Sequence, residues 1–209
     1  MINRPTACHS YTPADGHRLA HDPFNAIVGP RPIGWIGSVD QAGRVNLAPY
    51  SFFNAFNYHP PIIGFASIGE KDTLANLRET RVFTWNLATR ALAAAMNETS
   101  APLPRGEDEA ARAGLAMIPS DVIAAPCVAD SPVQFECRVT QFLRLLGADG
   151  GSTPAEMAFG EVVRVHIRAD LVRDGHYNAY APGVILRAGG PADYIEVDPG
   201  AVFRITRPQ

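Results

Sequence analysis

The sequence predicts an all-β barrel decorated by a few short helices, and three observations lead there. Glycine and proline, 18 of each in 209 residues, interrupt the chain at short intervals, as turns between many strands require. Two stretches read as hairpins, and helical periodicity appears only in short runs.

In chain order, Ile33–Val39 (IGWIGSV) is an apolar strand with two glycines. Asp40-Gln41-Ala42-Gly43 is a turn signal, and Arg44–Leu47 completes the first hairpin. Ile62–Ile68 and Val82–Leu87 are two further β-rich runs. Between them Thr73–Thr80 (TLANLRET) follows a capping residue, Asp72, and places Leu74 and Leu77 one helical turn apart. Short helices are also expected over Leu92–Asn97 and Asp108–Ala116. The second hairpin joins Val133–Leu146 to Ala158–Ile167 through a turn at Asp149-Gly150-Gly151, with Val163, Val165 and Ile167 on one face. The chain therefore reads as one domain over 1–209, with an N-terminal arm over 1–20. Residues 97–132, rich in proline yet repeatedly apolar, read as an extended excursion over the surface.

Composition narrows the function. A chain that is 46% hydrophobic and 19% charged is globular rather than disordered. A formal net charge of -3 argues against a broad electrostatic grip on nucleic acid or an anionic membrane, while leaving room for one local cationic pocket. No window approaches the roughly 20 apolar residues of a membrane span, and the first residues lack a signal-peptide core. Cys8, Cys127 and Cys137 are odd in number and form no CxxC pair, so a reduced, cytoplasmic setting is expected. The six histidines show no metal-ligand spacing, and His166 reads as a strand residue.

Motifs for metalloproteases, serine hydrolases and dinucleotide-binding folds are missing, which points to chemistry carried by a cofactor. Gly64–Thr73 (GFASIGEKDT) comes within one residue of a Walker A loop. Glu70, inserted before the lysine, breaks the order of converging amides that such a loop needs. What remains is Lys71 and Thr73 at a strand-to-helix junction, with Ser67 nearby as a further donor, a set suited to a phosphate monoester. The same residues also read as Asp72 capping a helix beside a solvated Lys71. In Asn46–Asn57 (NLAPYSFFNAFN), Pro49 interrupts the strand pattern, and an irregular backbone then carries Ser51, Asn54 and Asn57 among aromatics. Ser51 and Asn54 are expected to face a planar ligand, whereas Phe52, Phe53 and Phe56 are expected to be core. Trp35, after strand glycine Gly34, also reads first as core.

Taken together these phrases resemble the flavin reductase-like, FMN-binding split-barrel family, flavoredoxin-like proteins included. The resemblance runs from Arg31 to Tyr194, through RPIGWIGS (Arg31–Ser38), RVNLAPYSFFN (Arg44–Asn54), KDTLAN (Lys71–Asn76) and MNETSAPLP (Met96–Pro104). It continues through SPVQFECRV (Ser131–Val139) and GEVVRVHI (Gly160–Ile167). It implies a six-stranded antiparallel split β-barrel with peripheral helices, dimerising and holding FMN at the subunit interface. By that resemblance Lys71, Asp72, Thr73 and Ser67 surround the phosphate, and Tyr50, Ser51, Phe52, Phe53 and Asn54 run along the ring edge. Trp35 and Ser38 line the same pocket, and Asn97, Ser100 and Arg187 contribute to it or act across the dimer. The implied activity is hydride transfer from NADH or NADPH to FMN, with a monooxygenase or another electron acceptor as partner. Alternatives are an electron-transfer protein with fixed FMN and a non-catalytic flavin-binding module.

Overall fold

The computed structural model describes residues 7–208. After a short helix α1 (Phe24–Ile27), the chain forms β1 (Gly34–Val39), β2 (Val45–Tyr50), β3 (Phe53–Tyr58) and β4 (Pro61–Ile68). Helix α2 (Asp72–Thr80) leads into β5 (Val82–Asn86), and α3 (Ala93–Glu98) and α4 (Glu109–Arg112) follow. A two-residue pair, β6 (Met117–Ile118) and β7 (Cys127–Val128), precedes the long ribbon β8 (Val133–Leu146) and β9 (Ser152–Ile167). Smaller pairs close the chain: β10 (Val172–Arg173) with β11 (His176–Tyr177), and β12 (Ile185–Arg187) with β13 (Tyr194–Glu196).

One antiparallel sheet runs β2-β1-β5-β8-β9-β4-β3. It holds seven strands where six were expected. The additional strand is β3, which the sequence shows only as an irregular bend because Asn54 and Asn57 disfavour strands and the register shifts between Ala55 and Asn57. Pro49 is tolerated because β2 is a sheet edge, where a missing N–H leaves no ladder bond unmade. The sheet curls until its two edge strands are separated only by Ser51 and Phe52, and the amide of Ala66 in β4 bonds the carbonyl of Phe52 at 2.8 Å. This is a split barrel, with β2 and β3 at the seam.

The interior is filled by Ile36, Ile63, Phe65, Phe83, Val139 and Ala158 from the strands, with Leu74 and Leu77 of α2 plugging one end. Two glycines permit close approach. A Cβ at Gly37 would sit 2.4 Å from Thr84 Oγ1 and 2.8 Å from the Pro126 carbonyl, and one at Gly34 would strike the Phe53 ring. A second cluster, around Trp35, Leu47, Met96, Ala110 and Val128, packs the 97–132 excursion onto the outer side of β1 and β2.

Several sequence expectations need correction. Phe56 is 53% exposed rather than core, and Phe52 and Phe53 are half-buried, because β3 is an edge strand whose outer side faces solvent. Val163, Val165 and Ile167, expected on one face, are all exposed. The third expected helix shortens to α4, since Gly114 adopts φ +68° soon after it. Asp72 is the first helical residue rather than the cap. Lys71 occupies the capping position, and no side chain there bonds the helix amides. The part of the N-terminal arm over 1–6 lies outside the described residues.

Candidate functional site

Where β2 ends and α2 begins, the fold is stitched by a buried polar network. Asn46 of β2 donates from Nδ2 to Thr73 Oγ1 at 2.8 Å and to Ser38 Oγ of β1 at 3.3 Å. Asn76 of α2 donates to the same Ser38 oxygen at 3.2 Å. All four side chains are buried, so each bond is made in a low-dielectric setting and losing one strands its partner. The network fixes the first turn of α2, whose amides no side chain caps, against the β1–β2 hairpin.

Two cavities meet at Tyr50. The first, of about 350 Å³, is bordered by Tyr50, Lys71, Asp72, Thr73, Ser100 and Glu109. The second, of about 420 Å³, is bordered by Tyr50, Ser51, Asn97, Ser100, Arg187 and Tyr194. A third and larger space, about 820 Å³ and strongly apolar, lies on the other side of Ser51 against Arg31, Phe52, Phe53, Asn54 and Phe56. Eight of the residues singled out from sequence therefore converge on the first two cavities: Tyr50, Ser51, Lys71, Asp72, Thr73, Asn97, Ser100 and Arg187. Phe52, Phe53 and Asn54 flank the third.

Trp35, Ser38 and Ser67 do not reach a cavity surface. Trp35 is fully buried and donates from Nε1 to Thr99 Oγ1 at 3.0 Å, which fixes the end of α3 and hence Asn97 and Ser100. Ser67, also fully buried, donates to the Gly69 carbonyl at 3.2 Å. These three hold the wall from behind, Trp35 from the cluster packed on the outer side of β1 and β2, and Ser38 and Ser67 from fully buried positions on β1 and β4.

Charge is distributed unevenly around the first cavity. Glu70 is bound by Arg78, and Asp72 lies 4.0 Å from Arg105. Glu109 accepts the Leu47 amide at 3.2 Å; burial raises its carboxyl above the usual range, an effect the amide opposes and the charges of Asp72 and Asp108 reinforce. Lys71 has no ion pair among the described residues, and its ammonium lies over the Tyr50 ring, 5.8 Å from the centroid. Tyr50 is 6% exposed, and its hydroxyl is buried without a hydrogen-bond partner among the described residues. Burial pushes its pKa up to about 12, an effect the adjacent hydroxyls of Thr73 and Ser67 oppose, so it stays protonated.

Sequence reasoning missed Asn76 and Glu109, whose spacing carries no signal, and Arg31, which was quoted only within RPIGWIGS. It also missed a cluster of Asp121, Glu136 and His166, whose ligand-type atoms lie within 4.8 Å of one another. Those atoms are already committed. Glu136, fully buried, accepts the amides of Asp121 and Val122 at 2.7 and 2.8 Å and meets His166 Nε2 at 2.7 Å, while Arg164 holds Asp121 at 2.8 Å. Burial raises the Glu136 carboxyl, but these hydrogen bonds outweigh it and leave it below its ordinary range. The cluster is a clamp that fastens residues 121–122 to β8 and β9.

Residues 29–181 match the family model for the flavin reductase like domain. The chain belongs to that family. It is 35% identical to an uncharacterised protein of Halalkalibacterium halodurans over 88% of this chain and 90% of the relative. Among solved structures it is similar to nitrilotriacetate monooxygenase component B from Bacillus cereus, at 30% identity and a TM-score of 0.85, covering 96% of this chain and all of that one. It is also similar to Pseudomonas fluorescens 2-nitrobenzoate 2-nitroreductase, at 30% identity and a TM-score of 0.76, covering 88% of each chain. No helix among the described residues is long and apolar enough to cross a membrane.

The orphaned hydroxyl makes a direct prediction for the protein without ligand. Tyr50→Phe is expected to raise folding stability by about 1–2 kcal/mol, since a buried hydroxyl with no partner costs about that much. Thermal or urea melts check this; a variant destabilised by a similar amount would mean the hydroxyl is paired in the folded chain.

Proposed function

We propose that this protein is an FMN-binding oxidoreductase of the NAD(P)H-dependent flavin reductase type, working as a homodimer in the cytoplasm. The observation that carries the reading is an uncapped helix start beside a lysine that forms no ion pair among the described residues, both bordering a cavity that meets a second one at Tyr50. A phosphorylated flavin meets each of these needs. Its phosphate takes the free amides of α2, the Lys71 ammonium and the Thr73 hydroxyl. The Tyr50–Asn54 backbone would hold its polar ring edge, with Asn97, Ser100 and Arg187 bordering the second cavity. Ser67, Ser38 and Trp35 act by fixing that wall.

FMN held there would supply the redox chemistry, acceptance of a hydride from NADH or NADPH. The protein's own residues orient the two ring systems, exclude water and hold the phosphate, and none has to act as acid or base. A monooxygenase as acceptor is favoured by the likeness to a monooxygenase component, and a small bound acceptor by the likeness to a nitroreductase. The homodimer is supported by apolar side chains left in solvent on β3 and the ribbon end: Phe56, Tyr58, Leu143 and Leu146. Sedimentation of FMN-loaded protein is expected to give twice the chain mass; a monomer that retains FMN would remove the dimer from this reading.

The phosphate assignment is tested by Lys71→Ala. A charge-assisted hydrogen bond contributes about 1.5–3 kcal/mol, so FMN affinity is expected to fall tenfold or more while riboflavin affinity holds. Flavin fluorescence titrations measure both, and equal losses would move the phosphate elsewhere. Anaerobic addition of NADH or NADPH to the FMN-loaded protein is expected to bleach the flavin band far faster than free FMN. Retention of FMN through dialysis, with no acceleration by either nucleotide, would replace this reading by an electron-transfer protein with fixed FMN.

A further inference from the structure

Arg31 carries a positive charge that nothing in the fold neutralises. It is only 9% exposed and forms no ion pair among the described residues. Its Nε donates to the Ser51 carbonyl at 3.1 Å, and its Nη1 donates to the carbonyls of Val28, at 3.0 Å, and Asn25. The guanidinium also lies over the Phe52 ring, 5.6 Å from the centroid. Every one of these partners is neutral. Buried arginines are ordinarily paired with carboxylates, and carbonyl dipoles with a ring face offset only part of the lost hydration. Joining the 25–28 turn to Ser51 requires donors, which a neutral amide also provides. The charge itself requires another reason.

Its position supplies one. Arg31 borders the 820 Å³ space together with Ser51, Phe52, Phe53 and Asn54, the stretch assigned above to the edge of the flavin ring. Its backbone pairs with that of Arg187 through two hydrogen bonds of 2.9 Å, which ties it to the 420 Å³ cavity on the other side of Ser51. We infer that Arg31 is a tuning residue whose charge favours the two-electron-reduced, anionic form of a flavin bound along Ser51–Asn54. This rests on the FMN reading of the site. Oxidised isoalloxazine is neutral. Hydride transfer brings two electrons and one proton, leaves the nicotinamide oxidised, and makes the ring system an anion unless a second proton follows. A fixed cation in a low-dielectric wall favours that anion over both neutral forms. By gripping the Ser51 carbonyl, the same side chain also positions the backbone, so charge and positioning have to be separated experimentally.

Redox titration of the FMN-loaded protein separates them. In the wild-type protein a tenfold change in proton activity is expected to shift the midpoint potential by about 30 mV around neutral pH, the value for two electrons and one proton. A shift of about 59 mV would mean that two protons are taken up, and would overturn the inference without any variant. Arg31→Gln, which keeps amide donors but loses the charge, is expected to reduce the ratio of reduced to oxidised FMN affinity about tenfold, a potential about 30 mV more negative. Arg31→Lys is expected to stay close to wild type in that ratio. If both variants weaken oxidised and reduced FMN equally, Arg31 is a structural staple and the inference fails while the FMN site stands. If wild-type protein binds no FMN, the site reading itself falls and takes this inference with it.

Discussion

The candidate site depends on one constraint: Asn46 must bridge Ser38 and Thr73 across the join between sheet and helix. Its amide is the only side-chain donor given to Thr73 among the described residues, and through Ser38 it is coupled to Asn76. Because these groups are buried, an unmade bond leaves a desolvated partner, so the arrangement tolerates little slack. Its consequence is positional. The free amides of α2 are held beside Tyr50, and the end of β2 is held where Ser51 can border two cavities.

Around that anchor the local rules of satisfied burial are broken in one neighbourhood. Acids near the first cavity are engaged by arginines or a backbone amide, whereas Lys71, Arg31 and Arg187 form no ion pair among the described residues. Tyr50 keeps a buried hydroxyl with nothing to bond. Elsewhere the fold is careful about such groups, as the fully hydrogen-bonded Glu136 shows. Violations that cluster while the rest of the protein obeys the rule are the physical mark of a binding site. Here they leave cations without carboxylate partners beside a large apolar space, a lining that suits the phosphorylated flavin proposed above.

The seam of the barrel explains why these features lie at one edge. A closed sheet would bury both sides of β2 and β3, but splitting it between Tyr50 and Phe53 leaves two turn residues to border separate cavities. It also leaves β3 with a solvent-facing side bearing Phe56 and Tyr58. The edge is a liability for an isolated chain and a ready surface for a second copy.

Much of this was legible in the residues. Turn chemistry and alternation located β1, β2, β4, β5 and β8 to within a few positions, because those signals are local, whereas β9 begins at Ser152, six residues before the expected Ala158. The helix at Asp72–Thr80 and the phosphate-suited junction before it were legible for the same reason. β3 was not, since two asparagines and a register shift hide a strand that only its pairing with β4 defines. The roles of Trp35, Ser38 and Ser67 also escaped, as a motif names residues without saying which side of the wall they face. What the sequence determined alone was the kind of protein, its family, and the two segments from which a phosphate and a ring could be held. The tertiary structure decided which side chains are exposed to those cavities, which charges go unpaired, and that Arg31 stands behind Ser51. Burial and charge compensation depend on neighbours distant in the chain, and only the closed sheet brings those neighbours together.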